Sequence, residues 1–332
     1  MKTLIIKFGG SSLADPGKIR RAAAIALAYW RRGFAPVVVV SAPADSTDDL
    51  LALAALTGGK DLNPRETDAL LAAGEQLSAA LLALAIEAEG GKAVSLTGFQ
   101  AGISTDDKFS AATVRSVNPA RIKKELKAGR IPVVAGFQGI SAAGEITTLG
   151  RGGSDLTAVT LARALGSAPC EFRTDVKGIY TAHPAIVPEA RKLKNISYGE
   201  VIALAEAGTE VRQLRAIIYA QKHSIPLHLR SSFHDESGTL VTPAGGRPGV
   251  SCLSVKKEGD SALVSAIGRG LGAKQADAAL SAAAAAGIGA RQQEASDEKL
   301  VLRVSAKEAE TLLKALHAKF FPRHWPSDEH SS

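Results

Sequence analysis

The 332 residues include only two cysteines, one methionine and two tryptophans. Cys170 and Cys252 belong to no Cys-x-x-Cys pair. That excludes a disulfide framework and a thiolate metal site, and it implies a reduced, cytoplasmic protein. Aromatic residues make up 5%, too few for the stacking platforms that grip single-stranded nucleic acid. The net charge of +7 would suit an anionic partner, but lysine and arginine are interleaved with acids. The densest basic group, Arg121, Lys123, Lys124 and Lys127, fits the wet face of a helix. No nucleic-acid partner is expected. No apolar stretch reads as approaching the ~18 residues that span a bilayer, so no membrane association is expected either. The apolar run behind Lys2 is too short for a signal peptide, and "ALSAAAAAGIGA" is alanine-rich rather than lipid-facing. Neither GxxxxGK[ST] nor GxGxxG occurs, which removes the Walker and dinucleotide-binding readings.

What is present is alternation. Hydrophobic residues make up 45%, enough for a large buried core, and 332 residues suit two domains. "TLIIKF", "APVVVVSA", "KAVSLTG", "IPVVAGFQGI", "CEFRTD" and "IPLHLRSS" read as strands. Helical patterns lie at 16–32, at 66–89 and in "SDLTAVTLARALG". This predicts an α/β fold: a mostly parallel sheet between two helical layers, with ligands at the carboxyl ends of the strands. After Phe233 the texture changes. "HDESGTLVTPAGGRPG" reads as a linker, followed by β-α-β-β-α, a small α+β ferredoxin-like unit. The expected division is a first domain over 1–235, a linker over 236–260, a ferredoxin-like domain over 261–321 and a disordered tail over 322–332.

Four stretches carry chemistry. In "KFGGSS" a strand runs into glycines, whose backbone N–H groups can approach a phosphate while Lys7 adds charge; a plain turn is the other reading. "TLGRGGSD" sets Arg151 between glycines and opens a helix with Ser154 and Asp155. The arginine can fork onto a carboxylate, and the helix start favours anions. Asp155 could cap that helix or orient a lysine. "SAPADSTDDL" offers Ser41, Ser46 and Thr47 to a small acid, or is an ordinary loop. Glu75 lies inside an apolar helix, where it needs a cation: a substrate ammonium or an internal arginine.

The order of "KFGGSS", "SAPADSTDDL", "GE", "VAGFQG", "TLGRGGSD" and "TDVKGIYTAHPAIVPEARKLKNISYGE" resembles the aspartate kinases of the amino-acid kinase family, from about Lys2 to Ser232. The resemblance implies the three-layer αβα amino-acid kinase fold. It also implies transfer of the ATP γ-phosphoryl group to the β-carboxylate of L-aspartate, with Mg²⁺ held mainly by the phosphates. A carboxylate is already ionised at pH 7 and needs no general base. By the same resemblance Lys7 neutralises the phosphoryl oxygens, Asp155 orients Lys7, and Gly9 and Gly10 donate backbone N–H groups. Ser41, Thr47, Glu75, Arg151, Gly153 and Ser154 hold aspartate, with Glu75 facing its ammonium and Arg151 its α-carboxylate. Thr174, Asp175 and Tyr180 lie on the nucleotide. "ALVSAIGRGL" resembles the start of the family's last ACT domain, so the small domain is expected to be a single ACT unit that pairs a homodimer.

The nucleotide side departs from the family. T-D-V-D-G-x-[YF]-[TS]-x-D-P-R reads "TDVKGIYTAHPA", with Lys177, His183 and Ala185 in place of Asp, Asp and Arg. Glu210 stands where the family has a lysine at the leaving phosphate, with Lys177 or Arg212 as compensating charges. His183 is read as a loop residue in preference to a phosphate contact. Three readings follow: an aspartate kinase with a rearranged ATP site, a degenerate homologue that binds an amino acid and regulates a partner, or a kinase for a related acid.

Overall fold

The computed structural model describes residues 1–208 and 214–322. Glu210, Arg212 and all but the first residue of the expected tail lie outside the described residues. In chain order the first elements are β1 (Lys2–Phe8), α1 (Pro16–Arg31), β2 (Phe34–Val40), α2 (Ser46–Gly58), α3 (Pro64–Ala88), β3 (Ala93–Leu96), β4 (Ile103–Thr105), β5 (Val114–Val117) and α4 (Ala120–Lys127). Then come β6 (Ile131–Ala135), β7 (Gln138–Ile140), β8 (Ile146–Thr148), α5 (Gly153–Leu165) and β9 (Cys170–Thr174). The rest are β10 (Asn195–Ser197), α6 (Tyr198–Glu206), α7 (Leu214–Lys222), β11 (Leu227–Ser231), β12 (Thr239–Thr242), β13 (Gly249–Glu258), β14 (Ser261–Arg269), α8 (Ala273–Ala285), β15 (Arg291–Ala295), β16 (Lys299–Ser305) and α9 (Ala309–Phe320). The chain forms two compact units: Met1–Lys177 with Ile218–Glu236, and Gly178–Ile217 with Ser237 onward.

The first unit carries β11-β9-β1-β2-β6-β3, and every adjacent pair in this run is parallel. Ile5, Ile6 and Val37 to Val40 are fully buried, which explains strands with no polar alternation. Helix α1 starts cleanly because Asp15 accepts from the Lys18 N–H at 2.9 Å and Pro16 opens the first turn. Its small face, Ala22, Ala23 and Ala26, lies against Ile6, Phe8, Val38 and Val40, together with Leu82 and Ile86 of α3.

Two expectations for this unit change. "IPVVAGFQGI" is two strands, because Gly136 passes so close to Val40 and Ser154 that a Cβ would lie 2.8 Å from each, and Phe137 turns to φ 68°. A second, smaller sheet, β5-β4-β7-β8, takes over there. Helix α3 is also long and apolar enough, by length and composition, to cross a membrane, contrary to the reading of its sequence. Its buried side carries Asp68, Glu75 and Ser78 beside Leu71, Leu82 and Ile86, the face of a core helix with polar contacts to satisfy.

In the second unit β13-β14-β16-β15 form an antiparallel sheet covered by α8 and α9. Residues 261–320 follow the expected β-α-β-β-α order. The stretch read as a linker, 236–260, contains β12 and β13. Val250, Cys252 and Leu253 are buried and Lys256 and Lys257 exposed, but the Gly/Pro-rich run ahead of them hid that pattern. Ala182 and Val187, from the segment after "TDVKG", share this core with Leu312, Leu313 and Leu316.

Candidate functional site

Along β1, Ile6 and Phe8 enter the α1 core, so period-two alternation turns Lys7 to the opposite face of the sheet. There its Nζ meets Asp155 Oδ1 at 2.7 Å, both side chains being under 10% exposed. Asp155 sits in the first turn of α5, entered through Gly152 at φ 73°. A buried ion pair is a poor source of stability, because both charges lose their water. Its value here is a fixed cation at the end of the central strand.

Gly9 lies beside that cation: a Cβ there would be 3.8 Å from Lys7 Nζ. Its own N–H, however, donates to the Arg173 carbonyl at 3.1 Å, so Gly9 shapes the turn and does not serve as a phosphate donor. The 3₁₀ segment Gly10–Leu13 follows, with the Ser12 N–H donating to the Gly9 carbonyl at 3.0 Å. Gly10 must be glycine, since a Cβ would stand 2.7 Å from the Ala42 carbonyl. Ala44 N–H donates back to the Gly10 carbonyl at 3.0 Å, which locks the 41–47 loop onto the turn.

On the acid side, Glu75 is 4% exposed. Its Oε1 accepts from the Ala42 N–H at 3.1 Å, and its Oε2 has no hydrogen-bond partner among the described residues. Burial pushes its carboxyl up to about 7, against the opposing pull of the Ala42 N–H and Lys7. No arginine pairs with it among the described residues, so one buried carboxyl oxygen stays unsatisfied. Ser41, half-buried, donates its N–H to the Phe8 carbonyl at 3.2 Å, and Thr47 lies in the first turn of α2. Arg151 is exposed between Gly150 and Gly152, both at φ 73°. Ser154 is buried, and Gly153 fits so tightly that a Cβ would lie 2.8 Å from the Phe137 ring.

The nucleotide-side residues are more scattered. Thr174 Oγ1 accepts from the Val176 N–H at 3.2 Å, and Asp175 is exposed. Tyr180 lies in the second unit, bridged to Lys192. Lys177 pairs with Glu236 at 2.9 Å, so its charge is partly spoken for. His183 Nδ1 accepts from the Ala185 N–H at 3.2 Å, the contact of a loop residue.

Sequence reading missed the buried pair behind the glycine turn. Arg173 Nε donates to Glu171 Oε1 at 2.6 Å and its Nη1 to the Ser231 carbonyl at 2.8 Å, while Tyr29 donates to Glu171 Oε2 at 2.7 Å. The signal was two charges spaced by two in the apolar strand "CEFRTD". It also missed Asp68, on the same buried face as Glu75.

A fixed lysine at a strand end, a tight glycine turn and a helix start are gathered on a parallel α/β sheet. Residues 2–231 match the amino acid kinase family model, and the chain belongs to that family. It is 48% identical over 242 residues to an aspartokinase of Mycobacterium tuberculosis, covering 73% of this chain and 57% of that protein. To an aspartokinase of Thermus thermophilus it is 42% identical over 272 residues, covering 81% and 66%. The fold matches Escherichia coli aspartokinase III, solved with aspartate and ADP, at a TM-score of 0.80 and 22% identity, covering 97% of this chain and all of that one. The chain thus spans little more than half the length of the mycobacterial relative.

Proposed function

We propose that this chain is an aspartate kinase. The observation that carries the reading is the buried Lys7–Asp155 pair, set at 2.7 Å beside the Gly9–Gly10 turn. A β-carboxylate oxygen of L-aspartate attacks the γ-phosphorus of ATP and the bond to the bridging oxygen breaks. ADP leaves with that electron pair, and the product is 4-phospho-L-aspartate. Lys7 neutralises the transferring oxygens, Asp155 holds Lys7, and the Gly10 end of the turn supplies N–H donors. Glu75 faces the substrate ammonium with its unpartnered oxygen. Arg151 takes the α-carboxylate, and Ser41, Thr47, Gly153 and Ser154 complete the grip. Thr174 and Asp175 attend the nucleotide. Mg²⁺ bound to the phosphates of ATP would supply charge neutralisation there. Catalysis by positioning and electrostatics suits a site with no general base.

The small α+β domain is read as an ACT unit that joins two copies. Its outer strand β15 is exposed along its whole length at a sheet edge, which leaves backbone groups for a second chain. A cytoplasmic setting suits two free, buried cysteines. The test is to incubate the protein with MgATP and aspartate and trap acyl phosphate with hydroxylamine. Hydroxamate that depends on both substrates, and falls at least ~10²-fold in Lys7→Ala, is expected. No hydroxamate, with aspartate still bound, would select a receptor instead; hydroxamate with another acid alone would reassign the substrate.

A further inference from the structure

We propose that Asp68 is a positioning residue that sets the 149–153 turn, and with it the grip of Arg151 on the amino acid; this rests on the kinase reading of the same site. Asp68 is fully buried on α3 and forms no ion pair among the described residues. A lone buried carboxylate survives only when donors saturate it, and here they do. Ser110 gives its N–H to both oxygens, at 3.0 and 2.9 Å, and its hydroxyl at 3.3 Å. Thr148 gives its N–H at 2.7 Å and its hydroxyl at 2.8 Å.

Thr148 ends β8, and the next residues are Leu149, Gly150, Arg151, Gly152 and Gly153. Three of these five have no side chain with which to brace the turn. Within the turn Gly153 N–H donates to the Gly150 carbonyl at 2.9 Å, and fully buried Leu149 donates its N–H to the Phe137 carbonyl at 2.8 Å. The turn therefore takes its position from α5 on one side and, on the other, from Leu149 seated on Phe137 and from Thr148, clamped by Asp68. Glu75 stands two helical turns further along the same face, about 10 Å away by helix rise, and holds Ala42 of the 41–47 loop. One rigid helix thus spaces both loops that grip the acid, and it uses a buried carboxylate for each. Because misplacement of about 1 Å can cost ~10²-fold in rate, such a spacer governs substrate capture.

The test compares wild type with Asp68→Asn, which replaces one acceptor oxygen and the negative charge by an NH₂ facing the Ser110 N–H in either orientation, and with the milder Thr148→Val, which deletes one hydroxyl contact. In the hydroxylamine assay the KM for aspartate should rise about 10-fold or more in Asp68→Asn, with the KM for ATP within about 2-fold. Thr148→Val should fall between, and it serves if the Asn variant does not fold. Amide hydrogen exchange over 148–153 should quicken in both, while β1 and β2 remain protected. A loss of active protein with both KM values unchanged, or unchanged exchange over 148–153, overturns the assignment and leaves Asp68 merely structural. If wild type makes no acyl phosphate, the kinase reading falls, and the exchange measurement alone still decides the role of Asp68.

Discussion

Glu75 shows what burial does to the charge of one side chain. Its carboxyl titrates near 7 in the folded protein against 4.5 for the ordinary group, mainly because burial penalises the charge. Between those values the folded chain holds a proton that the unfolded chain has released, so stability falls as pH rises through the window. The shift corresponds to something on the order of 3 kcal/mol. Glu75→Gln should therefore be more stable than wild type at pH 8 and about equal to it near pH 4, as denaturant midpoints would show. The same substitution should remove aspartate binding, because it removes the negative charge placed for the ammonium. In wild type the KM for aspartate should climb as pH drops below 7, by up to about 10-fold per unit, since only ionised Glu75 pairs with an ammonium. A flat profile from pH 8 to 6 would show that Glu75 does not face the substrate.

Among the elements, α6 and α3 give contrasting cases. Helix α6 begins with a reciprocal cap: Ser197 Oγ accepts from the Glu200 N–H at 3.2 Å, and Glu200 Oε2 accepts from the Ser197 N–H at 2.7 Å. Ser197→Ala should cost about 1 kcal/mol by urea denaturation, and a loss under a few tenths would mean that buried Glu200 keeps the helix start unaided. That cap was visible as "SYGE" in the sequence but went unread because it sits in a loop-rich stretch. Helix α3 was read nearly to its ends, since an Ala/Leu run between Pro64 and Gly-Gly leaves little choice. What could not be read was which of its residues meet which loops. The partners of Asp68 lie 42 and 80 residues ahead and that of Glu75 33 behind, and no local pattern encodes such pairings. Leu82, fully buried between α1 and the sheet, should cost about 2–5 kcal/mol as Leu82→Ala.

At the scale of the molecule, the parallel sheet and the glycine turns were legible because buried strands and φ-positive turns constrain residue type directly. The division of the chain was not. Residues 178–217 leave the first unit for the second, and the chain then returns at 218, a crossing that neither composition nor periodicity marks. Each unit has its own apolar cluster, one around β1, β2, α1 and α3 and one around β14, β16, α8 and α9. Two cores of this kind should melt as two transitions, with a calorimetric enthalpy larger than the van't Hoff value of either. Every residue assigned to aspartate lies in the first unit. Aspartate at about 100 times its dissociation constant adds ~2.7 kcal/mol to the state that binds it, and a unit of this size gains about 2–4 °C for each kcal/mol. One transition should therefore rise by roughly 5–10 °C while the other stays in place, and hydrogen exchange should identify the shifted one by its β1 and β2 amides. A single transition that moves as a whole would mean that the two cores fold as one body, joined by the chain's three crossings.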